Sequence, residues 1–172
     1  MKAEELMIGN LVRVGKDVCF KKDTIVKIRG IDADREFPER GLKGCATCVP
    51  IDNPDGLSGG VWLDYLEPIR LTDEILKKLD FKLRKVVGWK GVKNYFWKAD
   101  NVRVRLISLI YENISFFDLI IEPVDSDDLR RGDLRCAIGG FSRFTPVRYV
   151  HEMQQAFRFN GIDKELNLTK EE

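Results

Sequence analysis

Between positions 77 and 105 the chain carries ten Lys or Arg residues against two Asp, with Phe81, Trp89, Tyr95, Phe96 and Trp97 interleaved. Cations neutralise phosphates and flat rings stack on bases, so such a stretch suits a nucleic-acid surface. On that reading Lys82, Arg84, Lys85, Lys90, Lys93, Lys98, Arg103 and Arg105 follow a phosphate backbone. Trp89, set between Gly88 and Gly91, then stacks on a base. The same alternation fits a second reading, a solvated hairpin whose exposed Lys and Arg block edge pairing while Phe96 and Trp97 fill a core. From position 112 to 133 the balance reverses, with seven Asp or Glu against Arg130 and Arg131. The acidic stretch can pair with the basic one across a sheet, or either can meet a protein partner or a second copy of the chain. A whole-chain net charge of +1 hides this split.

Three smaller groups could also do chemistry. Cys45-Ala46-Thr47-Cys48 has knuckle spacing for zinc, but there is no second such pair. Cys19, Cys136 and His151 are the other soft ligands, scattered along the chain. Cys45 and Cys48 are therefore weak metal candidates, and two small buried or loop thiols are the default. A redox dithiol would open a helix that lowers its first thiol's pKa, whereas Val49-Pro50 follows here. His151, the one histidine, sits at the border of a helical apolar face near Tyr149 and Gln155, where a structural hydrogen bond is expected. No glycine-flanked nucleophile turn accompanies it. Asp125, Asp127 and Asp128 do not reproduce a calcium loop, since Gly132 falls at the wrong offset. Neither GxxxxGK[ST] nor a strand-borne GxGxxG occurs, which argues against nucleotide hydrolysis and dinucleotide chemistry. No catalytic residue and no cofactor are assigned.

These residues must be positioned by short strands and two helices. Residues 8–14 alternate as a strand does, with Leu11 the off-pattern apolar, and 24–31 are rich in β-branched residues. Residues 32–60 read as loop, with a short strand at 47–51. Val61-Trp62-Leu63 and Tyr65-Leu66 follow, closing at Pro68. Thr72 is the expected N-cap of a short helix ending near Asp80, with Asp73 and Glu74 at its positive end and Lys77-Lys78 at its negative end. Residues 82–87, 93–98, 102–110, 115–122 and 134–138 read as antiparallel strands, with turns at 88–91 and at Glu112-Asn113 and an acidic loop at 125–133. A last helix is expected from Thr145 as cap and Pro146 as first residue to Asn160-Gly161, with Val147, Val150, Met153 (with Gln154), Ala156 and Phe157 on its apolar face.

Two resemblances follow from these segments. IGNLV near the start, LEPIRLTDEILKKLDF in the middle and VRYVHEMQQAFRFNGIDKEL near the end resemble a family of uncharacterised proteins common in gut Bacteroidales genomes and in their phages and other mobile elements. The resemblance covers about a third of the chain. It implies a small cytoplasmic α+β protein and transfers no catalytic residue. The chain departs from that pattern in its 32–60 segment with paired cysteines and in its acidic loop. Gly9-x-x-Val12-x-Val14 followed by Ile25-Val26-x-Ile28 resembles the opening strands of KOW- and Tudor-like barrels, which bind RNA, DNA or peptides. The glycine such modules often carry between those strands is missing; Lys21-Lys22-Asp23 stands there.

At 172 residues, 44% hydrophobic and 33% charged, the chain is long enough to bury a core. Glu4 and Glu5 interrupt any signal-peptide run, the longest apolar stretch is broken by charges, and four cysteines are too few for a disulfide scaffold, so a cytoplasmic protein away from membranes is expected. The expected fold is α+β. A small Src-homology-3-type barrel of the KOW/Tudor kind spans 1–68. An antiparallel sheet with a short middle helix and a C-terminal helix spans 69–168, and 169–172 form a frayed tail. The expected role is a non-catalytic binding or accessory module. It contacts nucleic acid through the 77–105 face or, alternatively, joins its basic and acidic surfaces to a protein partner or homo-oligomer.

Overall fold

The computed structural model describes residues 1–85, 92–98, 102–111, 114–123, 145–162, 166 and 168. The chain divides into two compact units, Met1–Leu71 with Tyr149–Glu172, and Thr72–Arg148. It is a mixed α+β fold dominated by antiparallel sheet.

In the first unit β1 (Leu11–Val14), β2 (Ile25–Phe37), β3 (Leu42–Pro50), β4 (Gly59–Trp62) and β5 (Leu66–Glu67) form one sheet in the order β4-β3-β2-β1-β5. Its ladder ends at β4 and β5 rather than closing through a further pairing. Val12, Val14, Val26, Ile28, Ala46, Cys48 and Val61 share a core with Leu6, Leu63 and Leu66. A one-turn 3-10 helix, Leu63–Tyr65, joins β4 to β5.

The segment expected to be a loop is largely strand. β2 runs on to Phe37, turns through a 3-10 helix at Pro38–Arg40, and returns as β3. Register shifts between Ile28 and Gly30 and between Asp32 and Glu36 bend it. Beyond Asp32 both faces of β2 are mostly solvated, so no apolar alternation announces the strand.

The last helix, α2 (Val150–Phe159), belongs to this first unit rather than closing the second sheet. It starts four residues later than its cap-and-proline signal implies. Tyr149 is its N-cap, and Thr145–Val147 form a strand instead. Its end is as expected, with Gly161 left-handed at φ 68° after Asn160. Val150, Met153, Ala156 and Phe157 are buried as anticipated, and so are the polar His151 and Gln154. Gln154 accepts from the Leu11 amide (2.8 Å) and donates to the Gly9 carbonyl (3.3 Å). Gln155 donates to the Glu5 carbonyl and to Asn10 Oδ1, and Arg158 to the Ile8 carbonyl. Gly9 has φ 86°, a left-handed backbone conformation that favours glycine. The off-pattern Leu11 is explained too: it lies on the sheet face opposite Val12 and Val14, yet is buried.

In the second unit Thr72 caps α1 (Asp73–Lys78), its Oγ1 accepting from the Ile75 amide at 3.2 Å, as expected. β6 (Lys82–Lys85), β7 (Lys93–Lys98), β8 (Val102–Tyr111), β9 (Ile114–Pro123) and β10 (Thr145–Val147) form a meander in the order β10-β9-β8-β7-β6. Pro146 lies opposite Asp118 on the edge strand β10, where a missing N–H is tolerated.

Candidate nucleic-acid interface

Strand register decides which cations share a face. Lys82 lies opposite Phe96 and Arg84 opposite Asn94, while Phe96 faces Arg105 and Lys98 faces Arg103. Directly opposed residues of an antiparallel pair project to the same side. Lys82, Arg84, Phe96, Lys98, Arg103 and Arg105 therefore lie on one face of the second sheet. Phe96 is half-buried there between two guanidiniums, Arg84 at 5.8 Å and Arg105 at 5.6 Å from the ring centre.

Lys93, whose register partner is Lys85, falls on the other face. Lys93 is ion-paired with Asp73 of α1, which removes it from the expected binding set. Hydrogen bonding from Lys93 first, with the nearby Tyr95 hydroxyl second, holds the Asp73 carboxyl below its usual range. The same face carries the buried Tyr95, Val104, Leu106, Phe117 and Leu119. The core aromatic of β7 is thus Tyr95, packed edge-on to Phe117 at 6.0 Å, and not Phe96. Burial first, then the Asp73 carboxylate, pushes the Tyr95 phenol up. Trp89 and Lys90 lie outside the described residues, as do the acidic loop, Asp125, Asp127, Asp128, Cys136 and the tail.

The basic face is not uniformly open. Lys82, Arg84 and Lys98 are exposed, and among the described residues none of the three has a carboxylate partner. Toward β9, Ile107 and Ile120 are buried on the same side, and Arg103 and Arg105 are half-buried. Acidic residues also appear at that end: Glu122 opposite Arg103, and Asp118 opposite Ile107. Burial raises the Asp118 pKa. Part of the acidic stretch therefore does lie across the sheet from the basic one. The open cationic strip is the β6–β7 end.

The cysteine pair does not form a metal centre. Three residues apart in an unbroken stretch of β3, Cys45 and Cys48 point to opposite faces, so they cannot close on one ion. Burial raises the Cys45 thiol pKa and pushes that of Cys48 up to about 12. Among the described residues no cluster of three or more His, Cys, Asp or Glu could hold an ion. No helix among them is long and apolar enough to cross a membrane.

The first unit contributes an aromatic ladder that sequence reasoning missed. Phe37 and Trp62 stack at 6.2 Å, with Arg35 over Trp62 and Arg40 over Phe37. Long-range pairing of β2, β3 and β4 brings these residues together, and no local spacing announces it. Comparisons with protein-family models, with curated proteins and with solved structures find no match to this chain.

Proposed function

We propose that the protein binds single-stranded nucleic acid through the face of the second sheet that carries Lys82, Arg84, Phe96, Lys98, Arg103 and Arg105. The observation that carries this reading is the register: five of the cations singled out in the sequence fall on one side of three adjacent strands, around a half-buried aromatic ring. The exposed Arg84 guanidinium can stack on the ring and still donate to phosphate oxygens, and the ring offers a base a face or edge to stack on. A duplex hides its base faces, so a face of this kind favours unpaired strands.

The first unit is read here as a Src-homology-3-type module of the KOW/Tudor kind. Its strand order and the 3-10 turn between β4 and β5 support that reading. Such a module would assist binding, with the Phe37–Trp62 ladder as its aromatic surface. Membership of the Bacteroidales family rests on the motif segments alone and adds no activity.

The experiment is fluorescence anisotropy of labelled single- and double-stranded DNA and RNA across a salt series. Micromolar binding of single strands that falls with salt is expected. No binding of any of them at low salt would refute the reading and move attention to a protein partner for the same cations.

A further inference from the structure

A second feature, independent of the nucleic-acid reading, lies wholly in the first unit, on the sheet face turned away from its core. Leu11, Lys27 and Val49 stand in register across β1, β2 and β3, so they share that face. The outer face of an antiparallel sheet is ordinarily polar. Here Leu11 is only 3% exposed, Val49 5%, and Leu166, which lines the same cavity, 3%. That half-open cavity holds about 620 Å³, and Ile51 and Pro54 form part of its wall. Small-molecule sites occupy roughly 300–1,000 Å³ and combine apolar walls with a few placed polar groups. The turn that carries Pro54 is held by hydrogen bonds from the Asn53 amide to the Pro50 carbonyl and from the Gly56 amide to the Asn53 carbonyl, so this wall is preformed.

Charge narrows the occupant. Among the described residues no Asp or Glu lines the cavity, whereas Lys27 and Arg29 both do. Lys27 is already engaged within the protein. Arg29 is exposed, and no carboxylate among the described residues pairs with it. A guanidinium stays protonated at any ordinary pH, and its planar fork matches a carboxylate with two parallel hydrogen bonds. A cationic ligand would be repelled by Arg29. A phosphate dianion would bring a second, hydrated charge against Leu11, Val49 and Leu166 with no cation left to balance it. The ligand that suits both halves of the cavity carries one negative charge and an apolar tail.

We propose that this cavity binds an aliphatic monocarboxylate, whose head group accepts from the Arg29 guanidinium and whose chain lies along Ile51 and Pro54 over the Leu11–Val49 floor. The charge-assisted pair fixes the head, and the chain supplies most of the affinity, since each methylene removed from water tightens binding about threefold.

The probe is sodium octanoate below its micelle concentration, titrated into the whole protein and followed by methyl NMR signals assigned to Leu11, Val49, Ile51 and Leu166. Sodium acetate, which has the head without the chain, and octyltrimethylammonium chloride, which has the chain with the opposite charge, are the controls. Saturable shifts at those methyls with octanoate, none with acetate and far weaker binding of the ammonium are expected. Hexanoate, two methylenes shorter, should bind about tenfold more weakly than octanoate. These readouts need no variant. In R29Q, whose folding is checked by thermal melting, octanoate affinity should fall about tenfold. No saturable shift at these methyls, equal binding of the ammonium, or undiminished octanoate affinity in folded R29Q would overturn the proposal. Shifts at the same methyls that grow with protein concentration and block octanoate would overturn it too, by showing that a second copy of the chain fills the cavity.

Discussion

Replacing Arg84 and Lys98 together by glutamine should change the salt dependence of nucleic-acid binding by a calculable amount. Both side chains are exposed, both lie on the Phe96 side of the sheet, and neither has a carboxylate partner among the described residues. For single strands the slope of log K against log salt is about −0.7 per phosphate neutralised. If Lys82, Arg84, Lys98, Arg103 and Arg105 each engage one phosphate, the wild-type slope is about −3.5, and the double variant's is about −2.1. Between 50 and 200 mM salt the wild-type protein should then lose about 100-fold in affinity and the R84Q/K98Q variant only about 20-fold. The difference of about 1.4 in slope does not depend on whether the half-buried Arg103 and Arg105 reach a phosphate, because it counts only the two residues removed. Anisotropy of a labelled oligonucleotide measures both slopes, with thermal melting to show that the variant is folded. An unchanged slope in a folded variant would refute the assignment of this face, whatever the absolute affinity.

Three further outcomes follow from the packing. Gln154→Leu should destabilise the protein by about 2 kcal/mol or more in chemical denaturation, because the Leu11 amide and the Gly9 carbonyl lose their side-chain partner in a buried position. Of Cys19, Cys45 and Cys48, only Cys19 is exposed, and burial raises the pKa of the other two, so peptide mapping after brief alkylation should find Cys19 modified first. The His151 pKa is depressed in the folded chain, so as pH falls through the usual value of about 6.5 the unfolded chain takes the proton first. The stabilisation is therefore present above that pH and lost below it. H151Q should flatten this part of the stability–pH curve, as read by melting temperature from about pH 7.5 down to about 5.

What was legible in the sequence was local. Thr72 announces α1 because a cap is made between residues three apart, and Gly161 announces the end of α2 for the same reason. Alternation within β6 and β8 already separates Lys82 and Arg84 from Lys85, and Arg103 and Arg105 from Val104. What alternation within one strand does not supply is the register between strands, and register is what puts Lys98 beside Arg103 and turns Lys93 toward Asp73. Thr145-Pro146 shows the same limit. Those two residues suit a helix start and an edge strand equally, and pairing with β9, far away in sequence, decides for the strand. The one signal left unused was Gln154 within an apolar helical face. A buried amide needs partners, and its partners were the amide and carbonyl flanking β1.

The position of α2 carries a consequence for how the chain is built. The first unit is made from two ends of the sequence, with Thr72–Arg148 interposed. Arg70 and Tyr149 form an antiparallel bridge, and the Val150 amide donates to the Ile69 carbonyl at 2.9 Å, so the chain leaves and re-enters the first unit at adjacent points. A bridge places the two backbones about 5 Å apart, within reach of a loop of about two to five residues. The hydrophobic cluster of the first unit draws only on residues of that unit. Replacing residues 72–148 by a short Gly/Ser loop should therefore leave a β-rich protein that unfolds cooperatively. Deleting residues 149–172 instead should not, because it strips the amide and carbonyl partners of Gln154 and exposes Leu11. Circular dichroism and a denaturant melt distinguish the two. Loss of cooperative unfolding on excising the insert, with retention after truncating the C-terminal segment, would show that α2 is not what completes the first unit.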